Sequence, residues 1–265
     1  MLISSTQNPR IKQVLALSQK STERRSTGLI VVEGHRELLH CVNSGAQVQA
    51  VFYCPAIYNA SRGEGDVLAM CEGERFEVTK PVYDRIAYRE GTEGIMAVVK
   101  PRMLTLDDLQ LPRHPLLRVL ERVEKPGNLG AVLRSADAAP ADAVIVCDPL
   151  TDIYNPNIVR SSIGAVFTVP CVPCTTAQCI RFLKQRDVHI LTAQLQDSKP
   201  YYDTDMRCGT AIVMGTESTG LTPEWRQAAD AHIRIPMNGR LDSLNVSVSA
   251  AILLYEAIRQ RQHSM

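Results

Sequence analysis

Three short segments gather the side chains most able to do chemistry, and each follows a run that fits a β-strand. The first spans residues 124–136, where a glycine-flanked turn holding Asn128 runs into a helix that carries Arg134. A guanidinium there could grip a phosphate or steady developing negative charge on an oxygen, although a Gly-Asn helix start and a solvent-facing arginine are also ordinary features. The second spans 211–221, an apolar strand ending in a loop where Gly215 and Gly220 flank the carboxylate of Glu217. Glycines let a ligand approach the backbone, and a lone acid among small residues is placed to act on it. A tight turn into a helix starting at Thr222-Pro223-Glu224 would use the same residues. The third spans 235–249: a strand broken at Pro236, a polar loop, then Ser243, Asn245, Ser247 and Ser249 at the entry to the last helix. Helix interiors disfavour serine and asparagine, so these four point to donors exposed at a helix N-terminus.

The elements that must position these loops follow an α/β pattern. In the first third, strands at 29–32, 48–53, 76–78 and 95–99 alternate with helices at 35–42, near 66–71 and at 81–88. This β-α-β-α-β-α-β order predicts a small α/β domain. Lys100-Pro101 and Leu111-Pro112-Arg113-His114-Pro115 interrupt the pattern. They suggest a first domain over 1–105, a linker over 106–115 and a second domain over 116–265. In the second domain, strands at 116–120, 143–147, 188–195, 211–214 and 232–235 alternate with helices. That implies a mainly parallel sheet covered on both faces, with its ligand crevice beyond the strands' carboxyl ends. The last helix is marked by Val246, Ala250, Leu253 and Ala257, with Leu254 and Ile258 alongside.

The 265 residues include 29 basic and 28 acidic side chains, a net charge of +1, so any nucleic-acid role must rest on local patches. One patch is the leading segment, where Arg10, Lys12, Lys20, Arg24 and Arg25 face a single acid, Glu23. Arg10, Lys12, Arg24 and Arg25 are the candidate phosphate contacts, a solvated charged face being the plainer alternative. No run approaches the roughly 18 consecutive apolar residues of a membrane helix, and residues 1–20 lack a signal-peptide core. A cytoplasmic protein is expected, with no membrane association. Eight cysteines are too sparse for a disulfide scaffold, and most lie in apolar strand-like contexts, as Cys54 and Cys147 do. They read as reduced core thiols, and no metal is expected.

Taken together and in this order, the three motifs resemble the SpoU (TrmH) family of RNA ribose 2'-O-methyltransferases, within the SPOUT class, over roughly residues 116–260. Asn128, Gly130 and Arg134 correspond to the first family motif; Gly215, Glu217, Gly220 and Leu221 to the second; Ile235, Pro236, Met237, Ser243, Leu244, Asn245 and Ser247 to the third. One departure is Ala139-Pro140, which stands where the family usually closes its first motif with an aromatic-Gly pair. It bears on how that helix ends rather than on the catalytic positions. The resemblance implies a deep trefoil knot in the C-terminal domain and S-adenosylmethionine held there in a bent shape. Leu195, Gly215, Ile235, Met237, Leu244, Asn245 and Ser247 would bind it. Asn128, Arg134, Glu217, Ser243 and Asn245 would form the catalytic set, acting on a ribose 2'-hydroxyl of structured RNA, ribosomal RNA being favoured over transfer RNA. The first domain looks like the L30e-like substrate-binding domain often found ahead of this core, and a homodimer through the C-terminal domain is implied. A charged guanidinium has no lone pair with which to accept a proton, so Arg134 is expected to bind a phosphate and stabilise alkoxide charge. Glu217, Ser243 and Asn245 would orient the hydroxyl.

Other readings have weaker support. Pro170-Cys171-Val172-Pro173-Cys174 and His35-Arg36-Glu37 match the two halves of the zinc deaminase signature. The halves lie far apart, in different proposed domains, and the cysteine half follows the strand-like Phe167-Thr168-Val169. Pro173-Cys174 also matches the Pro-Cys nucleophile of base C5-methyltransferases, without that class's cofactor loop. Neither a G-x-G-x-x-G fingerprint nor a phosphate loop is present. A non-catalytic RNA-binding protein could keep the same fold, but Arg134, Glu217 and Asn245 together speak against it.

Overall fold

The computed structural model describes residues 1–59, 65–88, 93–216 and 219–262. The chain forms two compact units. One comprises Met1–Arg102 and Tyr154–Thr168, the other Met103–Ile153 and Val169–Met265.

The first unit runs β1 (Leu2–Ile3), α1 (Pro9–Gln19), α2 (Ser21–Thr27), β2 (Ile30–Glu33), α3 (His35–Asn43), β3 (Gln47–Tyr53), α4 (Val67–Met70), β4 (Glu74–Val78), α5 (Lys80–Ile86) and β5 (Ile95–Lys100). Its sheet has the order β1-β4-β3-β5-β2, with β5 antiparallel to both neighbours and the other pairs parallel. The leading segment is more than a basic arm. Asn8 caps α1 by accepting from the Arg10 amide at 2.9 Å, Pro9 takes the first helical position, and Ile11, Val14 and Leu17 are buried at helical spacing. Those three side chains join Phe52, Phe76 and Tyr83 in the core of this unit.

The second unit continues with β6 (Leu116–Glu121), α6 (Pro126–Ala138) and β7 (Ala143–Cys147). The next two helices, α7 (Pro156–Ser161) and α8 (Ala165–Thr168), belong to the first unit. They bury Ile158, Val159, Ala165 and Val166, and Gly164 lies so close to Glu37 and His40 of α3 that a β-carbon there would press on both. The second unit is therefore not one unbroken run over 116–265. Nor is 106–115 a bare linker, since Leu109 is buried in the core of the second unit and Leu106 and Leu111 pack against it.

The second unit resumes with β8 (Cys171–Cys174), α9 (Thr176–Gln185), β9 (His189–Ala193), β10 (Lys199–Pro200), β11 (Thr210–Met214), α10 (Pro223–Ala228), β12 (Ala231–Arg234) and α11 (Val246–Gln262). All seven strands are parallel, in the order β10-β12-β9-β11-β6-β7-β8. Alternation along the strands sends Leu117, Val119, Ile145 and Val213 to one face, against Phe182, Leu183 and Trp225. On the other side α11 packs on α6, β6 and β11, burying Val246, Ala250, Leu253, Leu254 and Ala257. One expectation about strand position shifts. Phe167 and Thr168 end α8, and the strand begins at Cys171. Pro173 is tolerated there because β8 is the sheet edge, where a missing amide donor leaves no ladder bond broken.

Candidate active site

The loops beyond β9, β11 and β12 enclose a cleft of about 390 Å³, within the range of small-molecule sites, about 300–1,000 Å³. Among the residues that line it are Leu195, Gly215, Ile235, Met237, Ser243 and Leu244. Gly215 and Gly220 are needed where they stand. A β-carbon on Gly215 would collide with the backbone carbonyl of Gly220, and Gly220 itself holds a φ of +69°. The loop folds back on itself through the Gly220 amide, which donates to the Thr216 carbonyl at 3.1 Å. The Thr219 amide donates to Thr216 Oγ1 at 3.0 Å. Close backbone approach, with both apolar and polar side chains around it, suits a small ligand of mixed polarity bound partly by main-chain groups. Arg226, Arg234 and Asp242 add charge at the lining.

A smaller cleft shares Gly215, Thr216 and Val246 with the first and is also lined by Asn128. Here the first and third motifs meet: Asn245 Nδ2 donates to Asn128 Oδ1 at 3.2 Å. The Asn245 side-chain oxygen also accepts from the Ser247 amide at 2.9 Å and from Ser247 Oγ at 2.6 Å, so Asn245 caps α11. Ser247 thus supports Asn245, and of the expected cofactor contacts neither Asn245 nor Ser247 lines the larger cleft. Ser243 Oγ lies 3.5 Å from Asp242 Oδ1. Asn128 is not in a turn before the helix, because α6 starts at Pro126 and Asn128 is its third residue.

Arg134 lies six residues further along α6 and is exposed. At 100° and 1.5 Å per residue it is turned about 120° from Asn128 and displaced about 9 Å along the axis. It lines neither cleft. Glu217 lies outside the described residues.

The basic leading segment is corrected in part. Arg24 is buried, and its guanidinium donates to the Leu17 carbonyl at 2.6 Å, so it holds α1 to α2 instead of reaching for RNA. Arg10 is engaged with Glu74 at 2.9 Å and lies over the Phe76 ring, 4.5 Å from its centroid. Lys12 and Arg25 remain exposed, Arg25 donating to Ser21 Oγ at 3.3 Å.

Sequence reasoning missed Glu121. It is buried at the end of β6, where Oε1 accepts from Thr222 Oγ1 at 2.7 Å and from Thr176 Oγ1 at 3.2 Å. Oε2 accepts from the Thr222 amide at 2.9 Å. The carboxylate therefore pins the far end of the Gly215–Leu221 loop to the sheet. An acid closing a strand that is apolar apart from Arg118 was the available signal.

Comparison with known proteins places the fold in a family. Residues 115–255 match the family described as SpoU rRNA Methylase, and residues 8–97 match the MRM3-like substrate binding domain. The chain is 39% identical over 186 residues to the 23S rRNA (guanosine-2'-O-)-methyltransferase RlmB of Bordetella pertussis, covering 68% of this chain and 75% of that protein. It is 28% identical over 264 residues to the 23S rRNA (uridine(2479)-2'-O)-methyltransferase of Streptomyces viridochromogenes, covering 97% and 92%. Among solved structures, the AdoMet-bound rRNA methyltransferase from Sinorhizobium meliloti is 29% identical with a TM-score of 0.88, covering 100% of this chain and 98% of that one.

Proposed function

The chain belongs to the SpoU rRNA methylase family and is an S-adenosylmethionine-dependent rRNA 2'-O-methyltransferase; we propose that its methyl transfer takes place where the larger cleft meets the Asn128–Asn245 pair. The observation that carries this reading is the convergence of Leu195, Gly215, Ile235, Met237 and Leu244 on one cleft, with Asn245 bonded to Asn128 beside it.

When bound, S-adenosylmethionine supplies a methyl group already activated by its sulfonium. Leu195, Ile235, Met237 and Leu244 offer it apolar walls, and the bare backbone at Gly215 lets it lie close to the chain. Asn128 and Asn245, holding each other, orient the ribose hydroxyl for in-line attack, and Ser243 and Glu217 help to fix it there. Arg134 takes a phosphate next to the target ribose and steadies the oxygen as it becomes anionic. Standing outside the cleft of its own chain, Arg134 is best used if a second copy of the chain brings it to the neighbouring site. A homodimer through the second unit fits that need. Val248 and Tyr255 are seven residues apart on α11, both exposed, and a partner would cover them.

The first unit serves as the RNA reader, with Lys12 and Arg25 as its phosphate contacts. The loops of the second unit form the trefoil knot the family resemblance implies. No helix among the described residues is long and apolar enough to cross a membrane, and the enzyme acts in the cytoplasm, where ribosomal RNA is met. The relatives modify guanosine in one case and uridine in the other, so the target base is set outside the shared cleft. Deleting the gene and mapping ribose methylation across ribosomal RNA tests the reading. One 2'-O-methyl mark should vanish and return with the wild-type gene but not with Asn245→Ala. An unchanged methylation map would refute it.

A further inference from the structure

Cys147, Cys174 and Cys179 meet at the opposite edge of the seven-stranded sheet from the cofactor cleft, with their sulfur atoms all within 4.8 Å of one another. Cys147 and Cys174 are register partners at the carboxyl ends of β7 and β8, and their Sγ atoms are 3.9 Å apart. Metal–sulfur bonds of about 2.3 Å place two thiolates about 3.8–4.0 Å apart in tetrahedral or trigonal coordination, so this spacing already fits a shared cation.

The scaffold holds the trio firmly. Cys174 immediately precedes Thr175, which caps α9 in a reciprocal pair with Gln178, and Cys179 is the fourth residue of that ten-residue helix. The Thr176 amide donates to Asp148 Oδ2 at 3.1 Å, and its hydroxyl to the buried Glu121. The turn between Cys174 and Cys179 is therefore tied at three points. The N-terminus of α9 also favours negative charge on sulfur. Cys171, at odd spacing from Cys174 and so on the other face of β8, is pushed up by burial to about 12. The Cys171–Cys174 pair of the deaminase signature is thus not the pair that meets, and His35 and Glu37 belong to the other unit.

We propose that Cys147, Cys174 and Cys179 form a binding site for one soft, thiophilic d10 cation, of which Zn2+ is the probe. Three protein thiolates leave a fourth position for water on the half-buried Cys174 side, a ligand count zinc accepts. On binding, the three thiols release their protons to solvent as three metal–sulfur bonds form. The ion clamps the edge strand and α9 to β7. This role does not rest on the methyl-transfer reading, although Cys147 is the register partner of Glu121, which lines the smaller cleft.

The test uses the full-length protein, reduced, stripped with a chelator and titrated with Zn2+ alone. One equivalent should bind and survive dialysis, raise the melting temperature, and shield Cys174 from alkylation while the exposed Cys208 still reacts. Co2+ in its place should give thiolate-to-metal absorption in the near ultraviolet. Cys174→Ser should weaken Zn2+ binding at least tenfold, whereas Cys208→Ser should leave it unchanged. Cys147→Ser and Cys179→Ser should do as Cys174→Ser does, but they alter the core, so the half-buried Cys174 variant is the decisive one. Failure of the folded wild type to take up stoichiometric Zn2+, or undiminished uptake by folded Cys174→Ser protein, would overturn the proposal.

Discussion

The carboxyl ends of β9, β11 and β12 and the leading helices α1 and α2 are both rich in polar groups, but they use them in opposite ways. At the cleft the main chain decides the geometry. Gly215 is packed against Gly220, Asn245 caps α11, and the same Asn245 reaches across to Asn128 of another motif. In the leading helices two of the five cations are absorbed locally, Arg24 by a buried carbonyl and Arg10 by Glu74 and Phe76, while Lys12, Lys20 and Arg25 stay exposed. Residues fixed by backbone demands thus mark a site better than a count of like charges, because a long cationic side chain can serve packing as readily as binding.

This contrast can be broken most sharply at Arg134. Arg134→Ala should lower the single-turnover methyl-transfer rate by about 10² to 10³, with little change in cofactor affinity by calorimetry. Arg134→Lys should recover little, because an ammonium lacks the two-pronged geometry. A near-normal rate in Arg134→Ala would remove this residue from the mechanism. Gly215→Ala should come next. Forcing the Gly215–Leu221 loop apart by about 1 Å is expected to cost about 10² in methyl transfer, and here calorimetry should show cofactor binding lost as well. An alanine variant that binds normally would show that the loop yields more easily than its packing implies.

On the other side of the contrast, Arg24→Ala should cost about 1–3 kcal/mol of stability in denaturant unfolding, with RNA affinity unchanged where the protein is folded. A selective loss of RNA affinity would restore Arg24 as a contact. The smallest effect belongs to Lys12→Ala. It should weaken RNA binding evenly across sequences and reduce the salt dependence by about one phosphate contact. A salt slope that does not move would exclude Lys12 from the interface.

Much of the fold was legible because apolar periodicity reports it directly, as along α11 and in the runs at β6, β7 and β11. What escaped has a physical reason in each case. The stripe Ile11, Val14, Leu17 was masked by the charges around it, so the segment read only as a basic patch. Pro173 and the short, half-exposed β8 lack the alternation of a central strand, and Phe167 and Thr168 imitate one while ending a helix. The grouping of Tyr154–Thr168 with the first unit leaves no composition shift. At the site, the Gly and Asn positions were readable from local constraint. Glu121 and the Cys147–Cys174–Cys179 cluster depend on residues that only strand order brings together.

The central claim is that this chain places methyl groups on ribose oxygens of ribosomal RNA where its larger cleft meets the Asn128–Asn245 pair. The most direct measurement incubates the purified protein with methyl-labelled S-adenosylmethionine and ribosomal RNA from the deletion strain, then hydrolyses the RNA in alkali. A 2'-O-methyl group blocks cleavage at its own phosphodiester, so the label should appear in alkali-resistant dinucleotides with wild-type protein and be lost with Asn245→Ala. Label confined to alkali-released mononucleotides, as base methylation would give, or no transfer to ribosomal RNA at all, would contradict the account.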